Sequence, residues 1–195
     1  MFSSPSHTPR LLSSDDFNNL FESFSYSAFR LETLPRYQVS GESEELAAYL
    51  EGAFLPPESP GDSNWCRRIA ASTKKGLSWS RVHVMPDQLT PYLRYEIEWG
   101  YLFNAQAGED IRLLFPNQAP PIPENLPFHD FWLFDDTKLV LMHYGENGKY
   151  LGAELIENES ELPSYQQAKE FTLRYSTTLK NYLKELRNST GKFQY

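Results

Sequence analysis

The chain has 195 residues, 15% of them aromatic, and its 18 Lys and Arg against 26 Asp and Glu give a formal charge of -8. That length suits one domain with a sizeable core, the aromatic content excludes a disordered chain, and the acidic balance argues against a phosphate-backbone partner. Cys66 is the only cysteine, so no intramolecular disulfide is available; with no signal-like h-region near Met1 and no apolar run of roughly 20 residues, the chain reads as soluble and cytoplasmic.

Residues 1–12, rich in Ser and Pro, read as a flexible arm. Ser13 or Ser14 then caps a short helix with Asp15 and Asp16 in its first turn, and Phe17, Leu20, Phe21 and Phe24 form its apolar face. Ala28 to Leu34 alternates as a half-buried strand, Pro35 interrupts it, and Arg36 to Val39 resumes it. Glu42 to Glu51 reads as a helix with Leu46, Tyr49 and Leu50 inward, stopped by Gly52. The proline-dense stretch 55–62 is a loop and a candidate subdomain hinge.

A further helix runs from Asp62 or Ser63 to Lys75, with Trp65, Ile69 and Thr73 on one face; its Arg67, Arg68, Lys74 and Lys75 read as a solvated face. Ser78 to Met85 is a strand. Thr90-Pro91 starts a helix running to Gln106, with Tyr92, Tyr95, Trp99, Leu102 and Phe103 as its stripe, and Asp110 to Phe115 is the next strand. This strand–helix–strand run has the size of a βαβ unit and implies a parallel pair. After the Pro-rich loop 116–127, strands at Asp130–Asp135, Lys138–Tyr144 and Lys149–Ile156 are joined by short turns, as in antiparallel hairpins. Pro163 begins a long C-terminal helix to about Leu186, and 188–195 is a tail. The reading is an α+β fold: one domain over residues 13–187, with a mixed sheet containing one βαβ unit, an antiparallel hairpin series and packed helices.

No Walker A loop, G-x-G-x-x-G, G-x-S-x-G or H-E-x-x-H occurs. Cys66, inside a helix beside Trp65, reads as an inert buried thiol. His7, His83, His129 and His143 are scattered and lack a C-x-x-C anchor, so no metal site is expected; His129-Asp130 with Asp135-Asp136 reads as a strand start and a hairpin turn. No catalytic residue and no cofactor is assigned. The densest polar-aromatic segment is Tyr92 to Trp99. Tyr92, Arg94, Glu96, Arg112 and Trp132 are the candidate ligand-binding residues, because an Arg and a Glu in an aromatic setting can form a buried pair or a ligand pocket. Arg94 and Glu98 are spaced as a surface pair.

The helix Tyr92-Leu-Arg-Tyr-Glu, the stretch Asn104-x-x-x-Gly-Glu-Asp-Ile-Arg112 and the strand Asp130-Phe-Trp-Leu-Phe-Asp-Asp136 resemble an uncharacterised domain family, found mainly in actinobacteria and often encoded near helix-turn-helix regulators. The resemblance takes in Leu11 to Phe29 as well. It implies a regulatory or interaction context with a protein partner and transfers no functional residue. A second, fold-level resemblance is to half of a phospholipase D-like domain. The His-x-Lys signature of that fold is missing: His83 is followed at that place by Met85, His129 by Phe131 and His143 by Gly145. The sequence therefore favours a non-catalytic regulatory or binding module acting through a protein partner or small ligand, without direct nucleic-acid or membrane contact. The alternative is a hydrolase or nuclease using His83 or His143 with Glu96 or Asp130, which requires those groups to converge.

Overall fold

The computed structural model describes residues 11–39, 42–53 and 63–190. The expected hinge at 55–62 and most of the expected arm lie outside the described residues.

Helix α1 (Ser14–Ser23) starts where expected: the Ser13 hydroxyl accepts the Asp16 N–H at 3.1 Å. Leu11 and Leu12, expected in the arm, instead join the sheet, with the Leu12 N–H donating to the Ala153 carbonyl at 2.7 Å. Strand β1 (Ser27–Glu32) follows, then α2 (Ser43–Leu50) and α3 (Asn64–Thr73), capped by Ser63. Leu50, expected inward, is 58% exposed, because α2 is short and covers only one flank of the core.

Strand β2 (Ser78–Val84) leads into α4 (Pro91–Tyr95), a π turn (Glu96–Gly100), α5 (Tyr101–Ala107) and β3 (Glu109–Leu114). Strands β4 (Phe131–Phe134), β5 (Lys138–Tyr144) and β6 (Tyr150–Ile156) form the expected antiparallel series. The expected long C-terminal helix is two helices, α6 (Leu162–Tyr175) and α7 (Leu179–Thr190), separated by strand β7 (Thr177–Thr178). Thr178 interrupts it: its hydroxyl accepts the Asn181 N–H as the cap of a new helix, while Arg112 takes the Ser176 carbonyl at 3.2 Å.

The strands make one mixed sheet of seven, ordered β6-β5-β4-β1-β2-β3-β7. The expected parallel β2–β3 pair is present, and β1 adds a second parallel pair with β2. Since β1 is central, both its faces are covered, and the expected half-buried strand is buried from Ala28 to Glu32. Side chains alternate between faces, so the register setting Arg30 beside Arg81 and Trp132 puts Arg30, Glu32, Arg81, His83 and Trp132 on one face. On the other face Phe29, Leu31, Val82, Phe131 and Leu133 pack against Tyr165 and Ala168 of α6.

The first face is covered by α1 to α5. Near α1 and α3 the filling is aromatic: the Phe21 ring lies 5.0 Å from Trp132, 5.3 Å from Trp65 and 5.9 Å from Trp79. Near α4 and α5 it is Leu93, Ile97, Ile111 and Leu113, with Leu179 of α7 closing the edge. Between these two apolar regions the same face carries charge.

Candidate functional site

The charge arises from the alternation of β1 and β2. Both strands read Arg-x-acid or Arg-x-His on the covered face: Arg30 and Glu32 beside Arg81 and His83. Arg30, Glu32 and His83 are each under 8% exposed, so every charge needs a partner. Arg30 Nη2 donates to Asp130 at 2.8 Å and to the Tyr144 hydroxyl at 2.9 Å. Asp130 also accepts from the Tyr37 hydroxyl (2.6 Å) and from the Thr33 hydroxyl (2.6 Å) and N–H (3.0 Å). Arg81 Nη1 reaches both Glu32 oxygens at 3.0 and 3.1 Å, and its Nε donates to Glu109 at 2.9 Å. Burial pushes the Glu32 carboxyl up, but Arg81, His83 and Arg30 reverse that and hold it at about 2.

The roof over this network is the α4–π–α5 segment, expected as one regular helix. The Tyr101 N–H bonds the Glu96 carbonyl, five residues back, and the wider turn brings Glu96 and Tyr101 to one side. Regular helical spacing from Tyr92 would have turned Leu102 and Phe103 inward; Tyr101 is buried instead. Gly100 makes room for the Glu96 carboxyl, since a β-carbon there would lie 3.2 Å from Glu96 Oε2.

Roof and sheet border a half-open cavity of about 400 Å³. Its charged lining comes from Glu32, Glu42, Glu96 and Arg81; Tyr37, Tyr92, Tyr101 and Tyr144 add aromatic wall, and Phe17, Val39 and Met142 supply apolar wall. Glu42 stands at the start of α2, and the Tyr92 hydroxyl donates to its Oε2 at 3.3 Å. Burial raises the Glu42 carboxyl to about 7, with the nearby Glu32 adding to the effect against the Tyr92 hydrogen bond. Burial and the charges of Glu42 and Glu32 also push Glu96 well above the carboxylate range. The site thus holds a carboxylate locked to Arg81 and two carboxyls that hold their protons more tightly than an exposed glutamate does.

Of the five candidate residues, the cavity takes Tyr92 and Glu96. Trp132 lies on the same face but stands behind the wall, its ring centroid 5.6 Å from the Arg30 guanidinium, whose Nη1 has no hydrogen-bond partner. Arg94 is exposed on α4, and Arg112 is on the opposite face, bonded to Ser176. Glu98, spaced to pair with Arg94, accepts the Tyr49 hydroxyl at 2.8 Å. Periodicity missed Glu32, Glu42, Arg81, Tyr37, Tyr101 and Tyr144. The available signals were charged residues inside apolar strands and Gly100 inside a helix, where glycine costs about 1 kcal/mol.

Neither His83 nor His143 is hydrogen-bonded to the expected partners Glu96 and Asp130; the carboxylates beside them are Glu32, 3.6 Å from His83 Nδ1, and Glu154. His143 lies on the other face, bonded to Glu154 at 2.9 Å, away from Asp130 and Glu96. His83 shares their face but is fully buried; Nε2 donates to the Leu34 carbonyl at 2.8 Å and Nδ1 bonds the Tyr101 hydroxyl at 2.5 Å. Burial lowers its pKa, with the nearby Glu32 carboxylate acting against that shift. Asp135 accepts the Ser25, Tyr26 and Ser27 N–H groups, at the far end of β4 from Asp130. Among the described residues no group of three His, Cys, Asp or Glu side chains could hold a metal, and no helix is long and apolar enough to cross a membrane.

Among solved structures the chain is similar to phosphatidylserine synthase from Haemophilus influenzae Rd KW20, at 13% identity and a TM-score of 0.44 over 87% of this chain. The chain spans 38% of that protein's length. No curated protein matches the chain. The family model described as a domain of unknown function, DUF6879, matches residues 15–184, nearly the whole described fold with its buried charges and π turn, and the chain belongs to that family.

Proposed function

We propose that this domain is a non-catalytic binding module that holds a small ligand in the cavity between the α4–π–α5 roof and the sheet. In the regulatory context implied by the family resemblance, occupancy would be passed to a protein partner. The observation that carries this reading is the cavity itself. About 400 Å³ falls within the roughly 300–1,000 Å³ range of small-molecule sites, and an apolar wall with a few convergent polar groups is their usual lining. The π turn supports it too, because such turns weaken local hydrogen bonding and recur at functional positions. The hydrolase alternative has less support: one histidine faces the wrong way, and both ring nitrogens of the other are already bonded.

A thermal-shift screen of small polar and aromatic compounds tests the proposal against wild type and Val39→Trp. Val39 is 46% exposed on the cavity wall, so an indole there should narrow the entrance without burdening the core. Compounds that raise the melting temperature of wild type, and not of the variant, support the reading. Equal shifts in both proteins, or none in either, count against it. Turnover in an esterase, phosphatase or nuclease screen that His83→Ala abolishes would favour the hydrolase.

A further inference from the structure

The charges around the cavity are unevenly matched. Arg30 and Arg81 are the guanidiniums on this face, and their ion pairs go to Asp130, Glu32 and Glu109. Glu42 and Glu96 are additional to those three. Facing them are Glu32 on β1, Arg81 on β2, Glu45 on α2 and the Tyr92 hydroxyl on α4. Arg81 is already bonded to Glu32 and Glu109, and Tyr92 has a single hydrogen to share between two carboxyls. Glu96 is 7% exposed and lines the cavity, and the Tyr92 hydroxyl it shares with Glu42 leaves it a buried carboxyl without a full set of donors. Tyr37, Tyr92, Tyr101 and Tyr144 line the same cavity.

Resting on the binding reading above, we infer that the ligand is a small organic cation, an amine or diamine whose ammonium group sits between Glu42 and Glu96 against the tyrosine wall. An ammonium offers three N–H donors, which the two carboxyls lack, and an aromatic surround attracts a cation through the ring quadrupoles. A buried carboxylate pair without a counter-charge is unstable as two anions, so the empty site keeps its protons. Binding the ammonium ionises the carboxyls and releases protons to solvent. Affinity therefore rises with pH across the range where Glu42 titrates, while the amine itself stays protonated.

The test is isothermal titration calorimetry with 1,4-diaminobutane, 1,4-butanediol and succinate as cationic, neutral and anionic probes of equal carbon length. Diaminobutane should bind, and the two controls should not. Its heat should differ between phosphate and Tris buffers, reporting proton release, and its affinity should improve about tenfold from pH 6 to pH 8 for one carboxyl titrating near 7. Glu96→Gln keeps the shape and removes the charge, and should weaken diaminobutane at least tenfold. Circular dichroism checks that the variant folds, and Glu42→Gln gives an independent second variant. If butanediol or succinate binds the cavity and diaminobutane does not, the charge assignment is overturned and the binding module stands. Diaminobutane binding without buffer dependence, or unchanged in both variants, also overturns it. Silence from all three probes, with hits elsewhere in the thermal-shift screen, sinks the cation inference alone; silence in both experiments sinks the binding reading as well.

Discussion

Replacing Glu42 with Gln should stabilise the protein at alkaline pH and do so far less at pH 5. The fold raises this carboxyl from 4.5 to about 7. A group with a raised folded pKa contributes stability that is fully present below its unfolded pKa and is lost as pH rises through the folded value. At about 1.4 kcal/mol per pH unit, the loss for Glu42 is on the order of 3 kcal/mol between pH 4.5 and 8. Glu96 pushes in the same direction, and the two carboxyls titrate as a pair. Gln carries no such penalty, so the gap between variant and wild type should grow from under about 1 kcal/mol at pH 5 to on the order of 3 kcal/mol at pH 8. Urea denaturation at four pH values, read by circular dichroism, measures the gap as a difference in midpoint at constant slope. A gap that stays flat across this range, or closes as pH rises, refutes the reasoning about the pair.

Asp130→Ala should destabilise the fold by about 3–5 kcal/mol in the same assay, because it strands the buried Arg30 guanidinium and removes the acceptor of Tyr37 and Thr33. Gly148→Ala should also destabilise. A β-carbon there would sit 2.1 Å from the Arg36 carbonyl oxygen at a φ of +74°, so the segment carrying Tyr37 and Gln38 must move and the cavity wall with it; ligands from the screen should bind this variant more weakly. Cys66 is 3% exposed, and burial pushes its thiol above the usual range, so it should resist Ellman's reagent in the native protein and react fully in urea. Rapid native labelling would contradict its placement on the buried side of α3, against Asn104 of α5.

The elements that the sequence made legible are those with strong local signals. Ser13, Ser63 and Thr90 cap helices as their chemistry demands, and Asp135-Asp136 turns the β4–β5 hairpin. What was not legible depends on tertiary pairing. Arg30 and Glu32 read as the outer side of a half-buried strand, because period-two alternation cannot tell a solvated face from a charged buried one. Only their pairing with Arg81 and Asp130 shows which it is. The C-terminal stripe reads as one helix because apolar spacing continues in phase past Ser176, where the sheet edge takes Thr177 and Thr178. The candidate site was half visible. Tyr92 and Glu96 follow from helical spacing, but the π turn shifts the inward face, and Tyr101 becomes visible only once that shift is known.

The central claim is that the cavity takes a small molecule, and the methyl of Met142 reports it most directly. Met142 lines the cavity, while Met85 is 1% exposed in the neighbouring apolar cluster and serves as an internal control. Methyl NMR of ¹³C-methionine-labelled protein, titrated with the thermal-shift hits, should show a saturable Met142 shift with a smaller change at Met85. Hits that bind yet leave Met142 in place would put the ligand elsewhere and contradict the account.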